Sequence, residues 1–326
     1  EVGDLVVADI GHPPAESDWP LVVSDDQAGQ WLRRLRARDH KGDRGRVVIV
    51  GGDAGMSGAL RLSGRAAFAA GAGLVHAVGP ADTVAGLVQA EPDLQTFIHS
   101  FDGAPSVALL DLIARADAVV IGPGLGRSPG RRSFVASVVE ASKTAILDAD
   151  ALTAFAGAAS ELVPLAAHRP LVLTPHPGEF RSLFPALAST RELDPWAAAA
   201  AAARDCGATI LLKGVPTVVA SPQQKLLTVI AGNPGLATGG SGDVLSGLVG
   251  ANLASGVEPL VAAAMAAQLL GRAADLAARR HTARSLRPMD VVFALPELWR
   301  EWEILRAAGA TLRPPILFEL SRPQTT

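Results

Sequence analysis

A series of short, predominantly apolar runs, each stopped by glycine, proline or a charged residue, constrains this chain most. Arg46-Val-Val-Ile-Val50 stops at Gly51-Gly52, Ala116–Ile121 at Gly122-Pro-Gly-Leu-Gly126, and Thr144–Leu147 at Asp148-Ala-Asp150. Leu171–Leu173 runs into Thr174-Pro-His-Pro-Gly-Glu179, and Ala208–Leu212 into Lys213-Gly214. Leu74–Val78 is a further run of this kind, and helical stretches separate most of them. Strands apolar on every residue must bury both faces, and intervening helices supply the cover. The pattern predicts an α/β fold with a central, mostly parallel sheet between two helical layers. In such sheets ligands bind beyond the carboxyl ends of the strands.

Around this frame, Val215–Val229 reads as paired strands about Ser221-Pro222, and helices are expected near 240–255, 259–279 and 288–303. Ser57 is expected to cap a helix from about Gly58 to Ala70. Leu5–Ile10 reads as a short strand broken by Gly11-His-Pro-Pro14, with a polar linker through Ser24. The tail from Ala307 shows no clear periodicity. The expected division is residues 1–24, a main domain over 25–305, and a tail over 306–326.

Composition narrows the class. With 49% hydrophobic and 19% charged residues, a large buried core is expected, and a net charge of −3 argues against nucleic-acid and anionic-membrane partners. The single cysteine excludes an internal disulfide, and Cys206 reads as a small buried residue at a helix end or strand start. No apolar run reads as long enough to span a bilayer and no signal-peptide pattern opens the chain, so a cytoplasmic protein is expected. Because the first residue is Glu1, a natural start further upstream is also expected.

The richest stretch is Gly232-Asn-Pro-Gly-Leu-Ala-Thr-Gly-Gly-Ser-Gly-Asp-Val-Leu-Ser-Gly247. A glycine loop entering a helix presents free N–H groups and the positive helix end to an anion. A Walker loop needs a lysine that Gly239-Gly-Ser-Gly-Asp243 lacks, and Gly51-Gly-Asp-Ala-Gly55-Met-Ser-Gly58 misses the dinucleotide spacing. Asp243 is either a favourable first-turn acid or a general base beside a hole formed by Gly239, Gly240, Ser241 and Gly242. His176, between prolines, caps the next helix or binds ligand. Glu179 sits on a first helical turn or contacts magnesium, directly or through water. Lys213 is solvated or meets a nucleotide phosphate. Asp148 and Asp150 form a carboxylate pair, of which Asp150 is expected to cap the helix that follows. No histidines show metal-ligand spacing.

Taken in order, several motifs resemble one family. They are Lys41-Gly-Asp-Arg-Gly-Arg46, Gly51-Gly52 with Met56-Ser-Gly-Ala59, Gly71-Ala-Gly-Leu74, Gly122–Gly126, Asp148-Ala-Asp-Ala-Leu152, Thr174–Glu179, Lys213-Gly214 and the 232–243 loop. Over residues 27–303 the chain is similar to the ADP-dependent NAD(P)H-hydrate dehydratases, carbohydrate-kinase-related repair enzymes of ribokinase-like fold. Residues 4–14 resemble the last strand of the NAD(P)H-hydrate epimerase domain that is often fused upstream. The resemblance implies removal of water from hydrated NADH or NADPH (NADHX, NADPHX), with ADP consumed to AMP and phosphate. It implies that Ala59, Gly124, Gly126, His176 and Asp243 contact the hydrate. Lys213, Gly214, Val215, Pro216, Thr217 and Gly239–Gly242 would hold the nucleotide, and Glu179 would meet Mg2+. It further implies a homo-oligomer, often a tetramer, and an epimerase partner, fused or separate. Ser241 replaces the family's usual threonine, and Leu270-Gly-Arg-Ala-Ala-Asp-Leu276 departs from its usual pattern. A small-molecule kinase of the same fold and a nucleotide sensor without turnover are the competing readings.

Overall fold

The computed structural model describes residues 19–223 and 226–307. Its strands are β1 (Leu21–Val22), β2 (Arg46–Val50), β3 (Leu74–Gly79), β4 (Gln95–Ile98), β5 (Ala118–Ile121), β6 (Ala145–Leu147), β7 (Leu171–Leu173), β8 (Thr209–Leu212), β9 (Thr217–Ala220) and β10 (Leu227–Val229). They form one sheet in the order β1-β10-β9-β8-β7-β6-β5-β2-β3-β4. From β4 across to β8 every neighbouring pair is parallel, and β9 runs antiparallel to both β8 and β10. Successive strand residues point to opposite faces. Val47, Ile49, Val120, Ile146, Val172 and Leu211 pack under helices Ser57–Ala69, Ser241–Ala254, Pro259–Ser285 and Pro288–Ala307. Val48, Val50, Val119, Ile121, Leu147, Leu173 and Ile210 pack under helices Val107–Arg115, Arg131–Ala141 and Pro195–Cys206. The predicted two-sided parallel sheet is what the chain forms.

Helix Ser241–Ala254 lies close on the sheet and on helix Ser57–Ala69 because two of its buried positions are glycine. A Cβ on Gly247 would overlap the carbonyl oxygen of Ser63 in helix Ser57–Ala69, and one on Gly250 would lie 2.6 Å from Val120 Cγ2. The Ser63 and Ser246 hydroxyls meet at 3.2 Å in the same buried contact. This packing fixes where the helix N-terminus falls, at the carboxyl ends of the strands. Gly247→Ala is expected to lower stability by about 1–3 kcal/mol, because backbone must move to admit the methyl. An unchanged thermal midpoint would contradict the packing.

Some expectations need correction. Leu21–Val22, read as linker, pairs parallel with β10, and Ser24 then caps helix Asp25–Trp31 through a capping box with Gln27. Ser57 is the first helical residue rather than the cap; Met56 takes that place and makes no side-chain cap bond. Helix Pro259–Ser285, at 27 residues, is long and apolar enough to cross a membrane, contrary to the sequence reading, but 83% of its most apolar window is buried within the protein. It is a core helix: its alanines and leucines face the sheet and neighbouring helices. Cys206 ends helix Pro195–Cys206, and burial pushes its thiol up to about 11, which leaves it inert as a nucleophile. The strand expected at Leu5–Ile10 and the tail beyond Ala307 lie outside the described residues.

Candidate active site

Three adjacent strands deliver three polar side chains to one point. Asp148 follows β6, Thr174 follows β7 and Lys213 follows β8. Lys213 Nζ donates to Asp148 Oδ1 at 3.0 Å, and Thr174 Oγ1 donates to the same oxygen at 2.8 Å. Asp148 is 1% exposed, a burial that a carboxylate tolerates only with such partners. Glu179 approaches Lys213 from the other side at 3.6 Å. Burial alone would lower the Lys213 pKa, yet the flanking Asp148 and Glu179 charges hold it above the ordinary lysine value. Glu179 is pushed up, chiefly by burial, with Lys213 opposing and Asp148 adding.

Glu179 and His176 are tied together locally. His176 Nδ1 accepts from the N–H groups of Gly178 and Glu179 at 2.9 and 3.3 Å, and the Glu179 carboxylate accepts from His176 N at 2.7 Å. The two form a capping box for helix Pro177–Leu183. With Nδ1 accepting, the proton of a neutral ring sits on Nε2, which lies 3.4 Å from Glu179 Oε1. The side chain is 55% exposed, so one edge of the ring caps while the other remains accessible.

Opposite stands the N-terminus of helix Ser241–Ala254. Gly240, at φ +98°, makes the left-handed turn that starts it, and no side chain caps it. Ser241 N–H donates to Thr238 O at 3.2 Å, so that amide is spent. Among the described residues the amides of Gly239, Gly240, Gly242 and Asp243 have no protein acceptor. The set of unpaired amides therefore differs from the Gly239–Gly242 set read in the sequence: Ser241 offers only its hydroxyl, and the Asp243 amide is open. A Cβ on Gly242 would stand 3.5 Å from Lys213 Nζ and 3.8 Å from Asp148 Oδ2, which shows how closely loop and strand ends meet. The start of the loop is held by a residue whose role the sequence did not reveal. Asp275 accepts from Gly232 N at 3.3 Å and Asn233 Nδ2 at 3.0 Å. Its position inside the atypical 270–276 segment was the one available signal.

Asp243, third residue of that helix, receives no hydrogen bond on its carboxylate among the described residues. Burial raises its pKa to about 7, the Asp148 and Asp150 charges add to the rise, and Lys213 opposes it. A first-turn acid stabilised by the helix dipole would be shifted the other way. An unpartnered carboxylate poised near neutrality suits a proton acceptor.

The remaining wall comes from the loop after β5. A Cβ on Gly124 (φ +60°) would lie 2.8 Å from Met56 Cβ and 3.3 Å from Ala59 Cβ, so the start of helix Ser57–Ala69 abuts this loop. Gly126 N donates to Asp150 Oδ2 at 3.0 Å, and Arg127 Nε donates to Asp150 Oδ1 at 2.8 Å. The expectation that Asp150 caps its helix is thus wrong: Asp148 occupies the cap position without a side-chain cap bond, and Asp150 secures the Gly126 loop. Asp53, joined to the buried Arg131 at 2.8 Å, backs the same loop; the sequence reading assigned a role to neither. Gly214–Thr217 forms the turn from β8 to β9, where Thr217 Oγ1 donates to Gly214 O at 3.1 Å and Val215 is fully exposed. Of the residues singled out in the sequence, the structure gathers Asp148, Glu179, His176, Lys213, Gly242 and Asp243 at the strand ends, with Gly124, Gly126 and Ala59 on the adjoining wall.

The sheet order, with a glycine loop entering a helix over the strand ends, defines the class: a ribokinase-like α/β protein. A family model described as NAD(P)H-hydrate dehydratase matches residues 47–297, and the chain belongs to that family. Its relatives include a bifunctional NAD(P)H-hydrate repair enzyme of Moorella thermoacetica, 39% identical over 94% of this chain and 60% of the relative. An ADP-dependent (S)-NAD(P)H-hydrate dehydratase of Neisseria meningitidis is 38% identical over 74% of this chain and 81% of that protein. A crystal structure of the ADP/ATP-dependent NAD(P)H-hydrate dehydratase of Bacillus subtilis, co-crystallised with ATP and Mg2+, superposes with a TM-score of 0.76 at 27% identity, covering 88% of this chain and 100% of that one. Against the bifunctional relatives the chain spans only part of their length, 60% of one and 51% of another.

Proposed function

We propose that this chain dehydrates hydrated NADH and NADPH, using ADP and giving AMP and phosphate. The observation that carries the reading is Asp243: an acid raised to about 7 that, among the described residues, has no hydrogen-bond donor and stands at a helix N-terminus where four amides lack an acceptor. Family membership supports the substrate class, and the name of the Neisseria relative supports ADP.

In this reading Ala59, Gly124, Gly126 and His176 line the space for the hydrated nicotinamide, with its ring hydroxyl at Asp243. Lys213, Gly214, Val215, Pro216 and Thr217 face the nucleotide, whose terminal phosphate rests on the amides of Gly239, Gly240, Gly242 and Asp243. Asp243 accepts the hydroxyl proton as the oxygen attacks the terminal phosphorus, and AMP leaves. The amides offset charge gathering on the transferred phosphoryl oxygens. Hydroxide is a poor leaving group and phosphate a good one. The ring nitrogen lone pair then expels phosphate to leave an iminium, and the departing phosphate takes a proton from the ring carbon next to the one that bore the oxygen, which restores the dihydropyridine. A kinase of the same fold would share the first half of this sequence, and the family match favours the whole of it.

Mg2+ belongs to the proposal in a limited form. Among the described residues no cluster of three or more metal-ligating side chains exists. Both Glu179 oxygens already face His176 or Lys213. This donor set fits a hydrated magnesium brought in on nucleotide phosphates, with Glu179 reaching it through water. Such an ion supplies charge neutralisation on the phosphates. An epimerase partner, fused or separate, is proposed from the bifunctional names of relatives and the resemblance of residues 4–14. Residues 25–305 are proposed as the dehydratase unit, and a homo-oligomer as its state, to be read by light scattering. A cytoplasmic setting is also part of the proposal, because the coenzyme to be repaired is an intracellular solute.

The test is recovery of NADH absorbance from hydrated NADH with protein and Mg2+, in parallel with ADP, ATP or no nucleotide. Recovery with ADP supports the reading. Absence of recovery with either nucleotide, in protein that binds nucleotide, contradicts it. The pH profile adds a second check. Asp243 must be ionised to act, so kcat/KM is expected to rise through about pH 7 and to fall about tenfold per unit below it. A profile flat across that range would exclude Asp243 as the base.

A further inference from the structure

The cations around the Gly122–Gly126 loop are unequally committed. Arg131 has a side chain only 4% exposed, and it is used up on Leu125 O, Phe101 O and Asp53. Lys213 is held between Asp148 and Glu179. Arg127, immediately after Gly126, differs from both. Its side chain is 73% exposed, and among the described residues its one partner is Asp150, which accepts the Nε–H at 2.8 Å. That bond fixes the plane of the guanidinium and leaves both terminal nitrogens unpaired. The same Asp150 carboxylate holds the Gly126 amide, and its charge is felt at Asp243. Arg127 thus shares one carboxylate with the Gly126 loop, and that carboxylate acts in turn on the proposed base.

A hydrated dinucleotide with its ring hydroxyl at Asp243 places a ribose and then a diphosphate outward of the ring. Those two negative charges would leave a pocket that already holds Asp148, Asp150 and Asp243, so the exit needs an uncommitted cation. We propose that Arg127 binds the diphosphate of the dinucleotide substrate, its terminal nitrogens forked onto phosphate oxygens while Asp150 orients it from behind. This rests on the dehydratase reading and deepens it. The diphosphate carries the same charge before and during the chemical step, so the contact lowers KM and leaves kcat largely alone.

The experiment compares native protein with Arg127→Ala and Arg127→Lys, well above pH 7 so that Asp243 stays ionised in all three. Two substrates are used: hydrated NADH, and hydrated reduced nicotinamide riboside, which lacks the diphosphate. For hydrated NADH, R127A is expected to raise KM and the calorimetric Kd about 10- to 100-fold, the range of a charge-assisted pair. R127K is expected to recover part of the loss, since it restores charge without the fork. The KM for ADP stays at its native value, and kcat/KM for the riboside is the same in native protein and R127A. An unchanged KM for hydrated NADH, or an equal loss with the riboside, overturns the role of Arg127 while leaving the dehydratase reading intact. Native protein that neither binds nor dehydrates hydrated NADH overturns both. R127A leaves the buried Asp150 carboxylate with the Gly126 amide alone, so a lowered thermal midpoint is expected, and a single cooperative transition together with native riboside turnover shows that the variant is folded.

Discussion

Asp243→Asn is expected to cut turnover of hydrated NADH by about 10²- to 10⁴-fold, the usual contribution of a general base. ADP affinity is expected to stay within a few fold of native, because the amides of Gly239, Gly240 and Gly242 are backbone groups that the substitution leaves in place. The same change is expected to stabilise the fold at neutral and higher pH. Asp243 titrates at about 7 in the folded protein, against an ordinary 3.8. Between those values the folded state binds a proton that the unfolded chain releases, so native stability falls as pH rises from about 4 through about 7. Asparagine carries no charge and avoids that loss. D243N is therefore expected to gain on the order of 4 kcal/mol over native protein above pH 7 and to show no gain below pH 4. A variant both less active and more stable is the mark of a residue kept for chemistry. Near-native turnover would remove Asp243 from the mechanism, and lower stability above pH 7 would contradict its strained ionisation.

Lys213→Met is expected to have the second largest effect, acting on stability and on the pH profile. Lys213 is the cation among Asp148, Glu179 and Asp243, and its Nζ lies 3.0 Å from Asp148. Removing one partner of a buried pair leaves the other charge uncompensated, at a cost of about 3–5 kcal/mol. Lys213 also pulls the Asp243 pKa down against burial and the neighbouring acids. Without it, the acid limb of kcat/KM is expected to move above its native position near 7. The measurements are a denaturant titration and a pH–rate profile. A profile left in place, with ADP binding lost, would make Lys213 a nucleotide contact with no influence on the base.

The sheet was legible because its central strands are apolar on both faces over most of their length, a pattern that two helical layers satisfy. Less legible were its margins. Gln95–Ile98 is an edge strand with polar and half-exposed residues, and Leu21–Val22 is two residues long, so neither stands out from a loop. Local chemistry offered the His176 cap as one of two readings, and the structure shows that cap, with Glu179 completing the box. It failed for Asp150, where a cap was expected. The Gly126 amide and Arg127, 24 and 23 residues earlier, won that carboxylate through the tertiary fold. The core of the candidate site was invisible for the same reason. Asp148 meets Thr174 and Lys213 across 26 and 65 residues, a juxtaposition that only the order of β6, β7 and β8 creates. Each of these residues was recognisable as a strand-end polar group, but their shared hydrogen bonds, and the charge they impose on Asp243, follow from the assembled sheet.

The central claim is that the oxygen of the substrate hydroxyl, freed of its proton by Asp243, attacks phosphorus. Hydrated NADH carrying oxygen-18 in its ring hydroxyl, incubated with the protein, Mg2+ and ADP, tests it by mass spectrometry of the products. The mechanism predicts one labelled oxygen in each inorganic phosphate released, with unlabelled AMP formed in equal amount to recovered NADH. Label released into water, with phosphate unlabelled, would mean that the nucleotide is hydrolysed separately from dehydration, and would contradict the account.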